Sequence, residues 1–474
     1  MENSTEDMHV RVDHPKYGKQ VIMISGVAFL IGFIICLITG AEGPKVWTEH
    51  ENSARDIKLY YENDTTAYKA TYTTVISSMM RSHRLFWLDF EFQRPGYADE
   101  AIDRDFELSY EQEFDVHVWG YSDPDDLGSE ETIADYTTTA TVVCKSGKEW
   151  CVKDIMHLQR TIKYKKYKVQ VAIMHPEIID TADKPTEITG KVTFNFMNAK
   201  YTVFEMGFNY FFLTMTTLVM FTPCVGFFWK LCKIPRDKVS KQQKWVTALL
   251  VGLWFFDDPF FAGEVKASSR GLAEFYIVLA TTFVCILLMF WLVIIDEIRS
   301  DGANAPSQAW SKTSKWLFGK IFLCFLIWIL QISAFIVQMR ADHDHPAFNP
   351  SGNANKAFYA FTSIFMLIYI FWVLYLIVSC LHHLKQMMSA YLFLFGLTMF
   401  VMFMTIVGIF AASLYPYQGS GVEYLTFTGM YNMYVWILAI CYTPCGQTNT
   451  YSNQNEFDGA IGGGAGEIEF STDI

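Results

Sequence analysis

Eight apolar runs dominate this chain, each long enough to cross the roughly 30 Å hydrocarbon core of a bilayer as a helix. They fall near residues 21–41, 208–229, 245–263, 272–295, 316–338, 358–381, 389–414 and 424–442. A water-soluble protein has no means of hiding so many runs of that length in its cores. The averages agree: 18% of the residues are charged, 16% are aromatic, and the mean hydropathy is +0.18. The expected fold class is therefore an α-helical membrane protein with eight transmembrane helices. A polar leader (1–20) precedes an anchor helix (21–41), and the other seven helices lie together in residues 208–445. Residues 42–207 stand between them as a separate domain, and 446–474 form an acidic, Gly-rich tail that reads as disordered.

Basic residues in the short loops set the orientation, because they stay on the cytosolic side. Lys230, Lys233, Arg236, Lys238, Lys241 and Lys244 follow the second run. Arg11, Lys16 and Lys19 precede the first, and Arg299, Lys312 and Lys315 follow the fourth. This pattern places both termini in the cytosol and residues 42–207 in the lumen or outside the cell. Thr39-Gly40-Ala41 offers a signal peptidase a second reading of the first run, against which stand its length and its polar leader. Two features suit an exterior domain. Asn63-Asp64-Thr65 is a glycosylation acceptor, and Cys144 and Cys151 flank a Ser-Gly turn, a spacing that predicts a disulfide across a hairpin.

Within 42–207, segments such as Phe86–Phe92, Phe114–Trp119, Thr137–Val143, Tyr167–Met174 and Lys191–Phe196 alternate or cluster apolar residues between turns. Seven or more short strands predict an antiparallel β-sandwich. The domain is acidic, as is the whole chain at net −12, which argues against nucleic acid as a partner. Lys163-Tyr-Lys-Lys-Tyr-Lys168 reads as the solvated face of a strand.

Polar residues inside apolar runs are where function is sought first. Glu205 and Asn209 sit at the outer end of the second span, and Gln331 lies within the fifth, where a lone Gln reads as helix-packing glue. The third run is irregular. Its twelve residues Trp245–Phe256 rise only about 18 Å as helix, and Asp257-Asp258-Pro259-Phe260-Phe261 follows. Asp258 before Pro259 fits a helix N-cap with proline at the first helical position. These residues, Asp257, Asp258, Pro259, Glu205, Asn209 and Gln331, are the candidate ligand-contacting positions. No Ser/His/acid arrangement or metal-ligand spacing stands out. Asp342-His343-Asp344-His345, read as an outer loop, and His382-His383 lie a membrane thickness apart and cannot share an ion. The expectation is a protein without enzymatic activity, cofactor or metal.

The order of anchor helix, luminal sandwich and seven-helix bundle resembles the Wntless-like group, whose members carry a Golgi-dynamics-type luminal domain. Asp257-Asp258-Pro259-Phe260-Phe261, together with the basic stretch Arg236 to Trp245, carries the resemblance at the level of residues. The resemblance implies a bundle shaped like a G-protein-coupled receptor, residence in Golgi, endosomal or plasma membranes, and work as a receptor or cargo carrier. Its partners would be membrane lipids, a luminal or extracellular protein or lipid, and cytosolic sorting adaptors. A signalling receptor and a channel or transporter remain as alternative functions.

Overall fold

The computed structural model describes residues 18–49, 54–59, 62–64, 67–93, 107–121, 130–152, 154–159, 162–174, 188–222, 226–235, 239–267, 270–301, 309–344, 353–384, 389–414 and 420–444. Arg11, Lys16, Arg236, Lys238 and the tail at 446–474 lie outside them.

Ten strands make two antiparallel sheets. The first contains β1 (Trp47–Glu49), β2 (Ala54–Leu59), β5 (Phe86–Phe92), β8 (Asp154–Gln159) and β10 (Ile188–Met197), ordered β1-β10-β5-β8 with β2 also on β10. The second contains β3 (Glu62–Asp64), β4 (Ala67–Ile76), β6 (Leu108–Tyr121), β7 (Glu130–Cys144) and β9 (Lys166–Met174), ordered β3-β4-β9-β6-β7. Alternate residues of each strand point to one face, and here those faces meet. Phe86, Leu88, Phe90 and Phe92 of β5 share one core with Phe114, Val116 and Val118 of β6 and Val169, Val171 and Ile173 of β9. This is the expected sandwich. Asp89, buried in the central strand β5, accepts a hydrogen bond from Asn195 Nδ2 at 2.7 Å, which removes the cost of an unpaired polar group. Cys144 and Cys151 are joined by a disulfide, and the turn between them uses Gly147 at φ +67°, where a side chain would be strained. The basic stripe is paired with β7: Lys163 faces Glu131 and Lys168 faces Glu130, both at 3.6 Å.

The helices are α1 (Gly18–Glu42), α2 (Ala199–Phe221), α3 (Phe227–Leu231), α4 (Lys241–Phe256), α5 (Phe261–Ala267), α6 (Arg270–Asp301), α7 (Ala309–Asp344), α8 (Asn353–Leu384), α9 (Ser389–Leu414) and α10 (Gly421–Cys441). Eight spans are long and apolar enough to cross a membrane, with α4 and α5 together making the third. Helix α2 starts at Ala199, capped by the Asn198 side chain, nine residues before the apolar run at 208. Asn198 follows β10 directly, so the sandwich is coupled to α2 without a linker. Helix α4 starts earlier than its apolar run for a similar reason. Ser240 Oγ accepts from the Gln243 N–H while Gln243 Oε1 accepts from the Ser240 N–H, a reciprocal cap. Helix α7 runs through Asp344, so 342–344 are helical rather than loop.

Helix α10 is the centre of the bundle, with 72% of its span buried, the largest share among the eight spans. Helix α1 is not a detached anchor but packs along α10. The two backbones come together at Gly40, where a Cβ would meet the Val422 Cα at 2.6 Å, a distance real Cβ atoms do not show. The opposite side of α1 presents Met23, Ile24, Leu30 and Ile38 outward, as a lipid-facing helix requires.

Candidate functional site

The sandwich meets the bundle at a short 3-10 turn, Arg81–His83, between β4 and β5. Arg84, which closes the turn, has φ +54°, a backbone state costly for a residue with a side chain. That state directs the guanidinium into the end of the bundle. Its Nη1 lies 3.0 Å from Glu205 Oε2 on α2, and its Nη2 lies 2.8 Å from Glu264 Oε1 on α5. Its central carbon sits 4.7 Å above the Phe261 ring, in the range where an aromatic face attracts a cation. Burial works against the charge, but Glu205 and Glu264 overcome it and hold Arg84 above its ordinary pKa. Arg81 adds a second tie, donating at 2.7 Å to the Lys266 carbonyl at the end of α5, a carbonyl that has no partner within its own helix.

Beneath this clamp the third span breaks. Helix α4 ends at Asp257, and Asp258 takes φ +48° before Pro259, which cannot continue the ladder. Asp258 Oδ1 accepts from the Phe260 N–H at 3.2 Å, a local turn ahead of α5; that helix begins at Phe261, so Pro259 is not its first residue and Asp258 is not its cap. Asp258 Oδ2 is buried with no hydrogen-bond partner among the described residues. Asp257 is wholly buried and belongs to a different set. Asn432 Nδ2, which also donates to the Thr428 carbonyl, donates to Asp257 Oδ1 at 2.6 Å. The Thr216 hydroxyl lies 3.2 Å from Asp257 Oδ2 and 3.1 Å from Asn432 Oδ1, and it receives the Trp436 indole N–H at 3.0 Å. One hydroxyl has one proton, so Thr216 cannot serve both oxygens. The set closes without an unsatisfied member when Asp257 itself carries a proton and donates it to Thr216.

This arrangement yields a prediction. Asp257→Asn supplies the same donor and acceptor and is expected to change the melting temperature little, equivalent to under about 1 kcal/mol. Asp257→Leu strands the Asn432 and Thr216 groups and is expected to cost about 1–3 kcal/mol for each polar group left unpaired. Thermal melting of the full-length protein in lipid discs separates the two. Equal damage from both substitutions would mean that the carboxylate works as a charge.

Of the positions singled out in sequence, Glu205, Asn209, Asp257, Asp258 and Pro259 converge at this end of the bundle. Asn209 is buried, receives the Tyr424 hydroxyl, and shares that tyrosine with the Glu205 carbonyl at 3.3 Å. Gln331 does not join them. It lies exposed on the outer surface of α7, so it glues no helix pair within the chain. Arg84, Glu264, Thr216 and Asn432 complete the site and were not singled out. Arg84 sits in a strand-rich domain where an arginine is unremarkable, and Glu264 falls one residue past the apolar run. On the outward face of the sandwich, His117 lies between Asp115 (3.2 Å) and Asp135 (2.9 Å). Ligand atoms of these three residues fall within 4.8 Å of one another, a juxtaposition that cross-strand register creates and linear spacing hides.

The break at Asp257–Pro259, the direct passage from β10 into α2 and the central α10 all lie within one region of the chain. Residues 198–446 match the model of the Wntless-like transmembrane domain. The chain belongs to the Wntless-like family. It is also similar to human transmembrane protein 181, with 25% identity over 448 residues, covering 90% of this chain and 86% of that protein. The family match begins at Asn198, the cap of α2, so it takes in the bundle without the sandwich or α1. The similarity to the human protein extends over most of the rest.

Proposed function

We propose that this Wntless-like membrane protein is a receptor or cargo carrier of the secretory and endosomal route, with no catalytic role. Its sandwich lies in the lumen or outside the cell, and both termini lie in the cytosol. The observation that carries this reading is the Arg84 clamp. It fixes a domain of binding size to the ends of α2 and α5, directly above the broken third span, so that an event on the sandwich is mechanically coupled to the bundle. Strand β7, long and largely exposed, together with the sandwich end of the bundle, offers the contacting surface. Membrane proteins that only anchor a domain need no such buried junction.

Orientation is tested by Asn63, which sits in β3. A glycosidase-sensitive shift in mobility, lost in Asn63→Gln, places the sandwich on the luminal side, and protease access to Asn63 from the cytosol would reverse the assignment. Function is tested by deleting the protein and quantifying the secreted and surface proteomes. Selective loss of a small set of proteins is expected, restored by the wild type and poorly by Arg84→Ala. Unchanged secretion and surface delivery would remove the reading.

A further inference from the structure

The outward face of the second sheet carries an acidic column that closes around one histidine. Residues two apart on a strand share a face, and Glu111, Glu113, Asp115 and His117 follow one another in that way along β6, separated by the buried Gln112, Phe114 and Val116. Strand β6 is hydrogen-bonded to β7 on one side and to β9 on the other, which fixes its backbone. The register with β7 sets Asp135 directly opposite His117. Trp119, next on the same face, stacks on the His117 ring at 5.6 Å. Lys168 of β9 is engaged beside it, over the Trp119 ring at 4.6 Å and facing Glu130 at 3.6 Å.

The hydrogen bonds of this cluster do not balance around a neutral ring. His117 Nε2 lies 3.2 Å from Asp115 Oδ2, and Nδ1 lies 2.9 Å from Asp135 Oδ1. Ionised carboxylates are acceptors only, and a neutral imidazole has a single N–H. One ring nitrogen would therefore turn its lone pair toward a carboxylate at hydrogen-bonding distance. A cation resolves the conflict, either a second proton on the ring or a metal ion on one nitrogen. We propose that Asp115, His117 and Asp135 form a binding site for a divalent transition-metal ion, zinc being the best fit. One His117 nitrogen and one oxygen from each carboxylate are the ligands, solvent fills the remaining position, and the other ring nitrogen keeps its N–H.

Donor chemistry selects the class of ion. An imidazole beside carboxylates suits zinc and its neighbours, whereas calcium and magnesium ask for oxygen alone. Donors arranged as a tetrahedron at about 2.1 Å from zinc stand about 3.4 Å apart. Ligand atoms of the three residues already fall within 4.8 Å of one another, so the cluster closes on an ion by side-chain movements of roughly 1.4 Å or less. Asp135 can supply most of that movement, because its side chain is 62% exposed on the edge strand β7. Asp115 and His117, at 18% and 24%, are held on the inner strand. Two carboxylates offset the charge of a divalent ion, and Glu113 and Glu111 keep the surrounding field negative. The inference stands apart from the receptor reading, since it concerns only what this face of the sandwich binds.

The test is calorimetric titration of Zn2+ into the full-length protein in lipid discs at neutral pH, paired with amide hydrogen exchange read across β6 and β7. Zinc taken up by Asp342-His343-Asp344-His345, by His382-His383 or by the exposed Cys232 thiol is common to every variant, so the quantity measured is the difference from His117→Gln. The wild type is expected to bind one more Zn2+ per chain than His117→Gln, and zinc should slow exchange in β6 and β7 of the wild type alone. Asp135→Asn should weaken the site by about tenfold or more, since a lost ligand costs at least as much as a lost outer-shell partner. Excess Ca2+ should not displace the zinc. Should His117→Gln alter exchange in metal-free protein, Asp135→Asn, on an exposed side chain, carries the comparison. Equal zinc binding by the wild type and these variants would overturn the proposal and leave a second ring proton as the cation of the cluster. Displacement of the zinc by calcium would overturn it too, reducing the cluster to an acidic patch.

Discussion

Arg84→Ala is expected to destabilise the attachment of the sandwich by about 3–5 kcal/mol, the range for breaking a buried ion pair by removing one partner. The cost arises from what stays behind. Glu205 and Glu264 are less than one-fifth exposed and share this one guanidinium, so its removal leaves two carboxylates facing each other without a counter-charge. Relief of the backbone strain at φ +54° offsets only part of this, because alanine is also unfavourable there. Arg84→Lys is expected to recover less than half, since one ammonium cannot bridge two carboxylates in a fork. Neutralising the carboxylates in the same background, as Arg84→Ala with Glu205→Gln and Glu264→Gln, should restore most of the loss. Hydrogen exchange across β5 and α5, together with protease sensitivity of the sandwich, measures the effect. A loss below about 1 kcal/mol would place the pair with ordinary surface ion pairs and remove the mechanical coupling from the site.

Much of the architecture was legible in the sequence, because bilayer and sheet impose simple periods. Eight apolar runs became eight spans, and Phe86–Phe92 was readable as a strand to the residue because five of its seven residues are apolar or aromatic and all but Glu91 are buried. Boundaries were less legible where polar residues are helical. Helix α2 gains Ala199–Gly207 and α4 gains Lys241–Lys244 through caps that hydropathy does not register. Half of the site was visible for one physical reason: Asp257, Asp258, Glu205 and Asn209 are polar where the surroundings are apolar. The other half was not. Thr216 and Asn432 are 216 residues apart and Arg84 is 180 residues from Glu264, and no local pattern encodes such pairs. Gln331 shows the reverse error, a polar residue within a span that faces outward.

A buried ion pair at the other end of the bundle was equally hidden, and it supports the second large prediction. Asp296, near the end of α6, pairs with Lys320 of α7, and Arg299 approaches the second oxygen of Asp296 at 2.6 Å. Lys320 is 2% exposed and Arg299 is about one-third exposed. The two sides of the pair are therefore unequal. Lys320→Ala leaves Asp296 with Arg299, so the expected cost is about 3 kcal/mol, the lower end for a broken buried pair. Asp296→Ala leaves the Lys320 ammonium enclosed, with the like charge of Arg299 acting against it and that of Glu297 for it, and is expected to cost about 5 kcal/mol or to prevent folding. Replacing both partners, as Asp296→Leu with Lys320→Met, keeps the volume without a buried charge and is expected to return stability close to wild type, since apolar replacements of buried pairs are often neutral. Between the two ends, Trp291 donates to the Tyr434 hydroxyl at 3.3 Å, Tyr434 meets Thr398 at 2.9 Å, and Tyr369 donates to the Leu288 carbonyl at 3.0 Å. These bonds lock α6, α8, α9 and α10 together, so the double replacement should fold. If it folds but fails to restore secretion where the wild type does, the pair contributes to function beyond stability. If Asp296→Ala and Lys320→Ala cost the same in thermal melting, the asymmetry assigned to Arg299 is wrong.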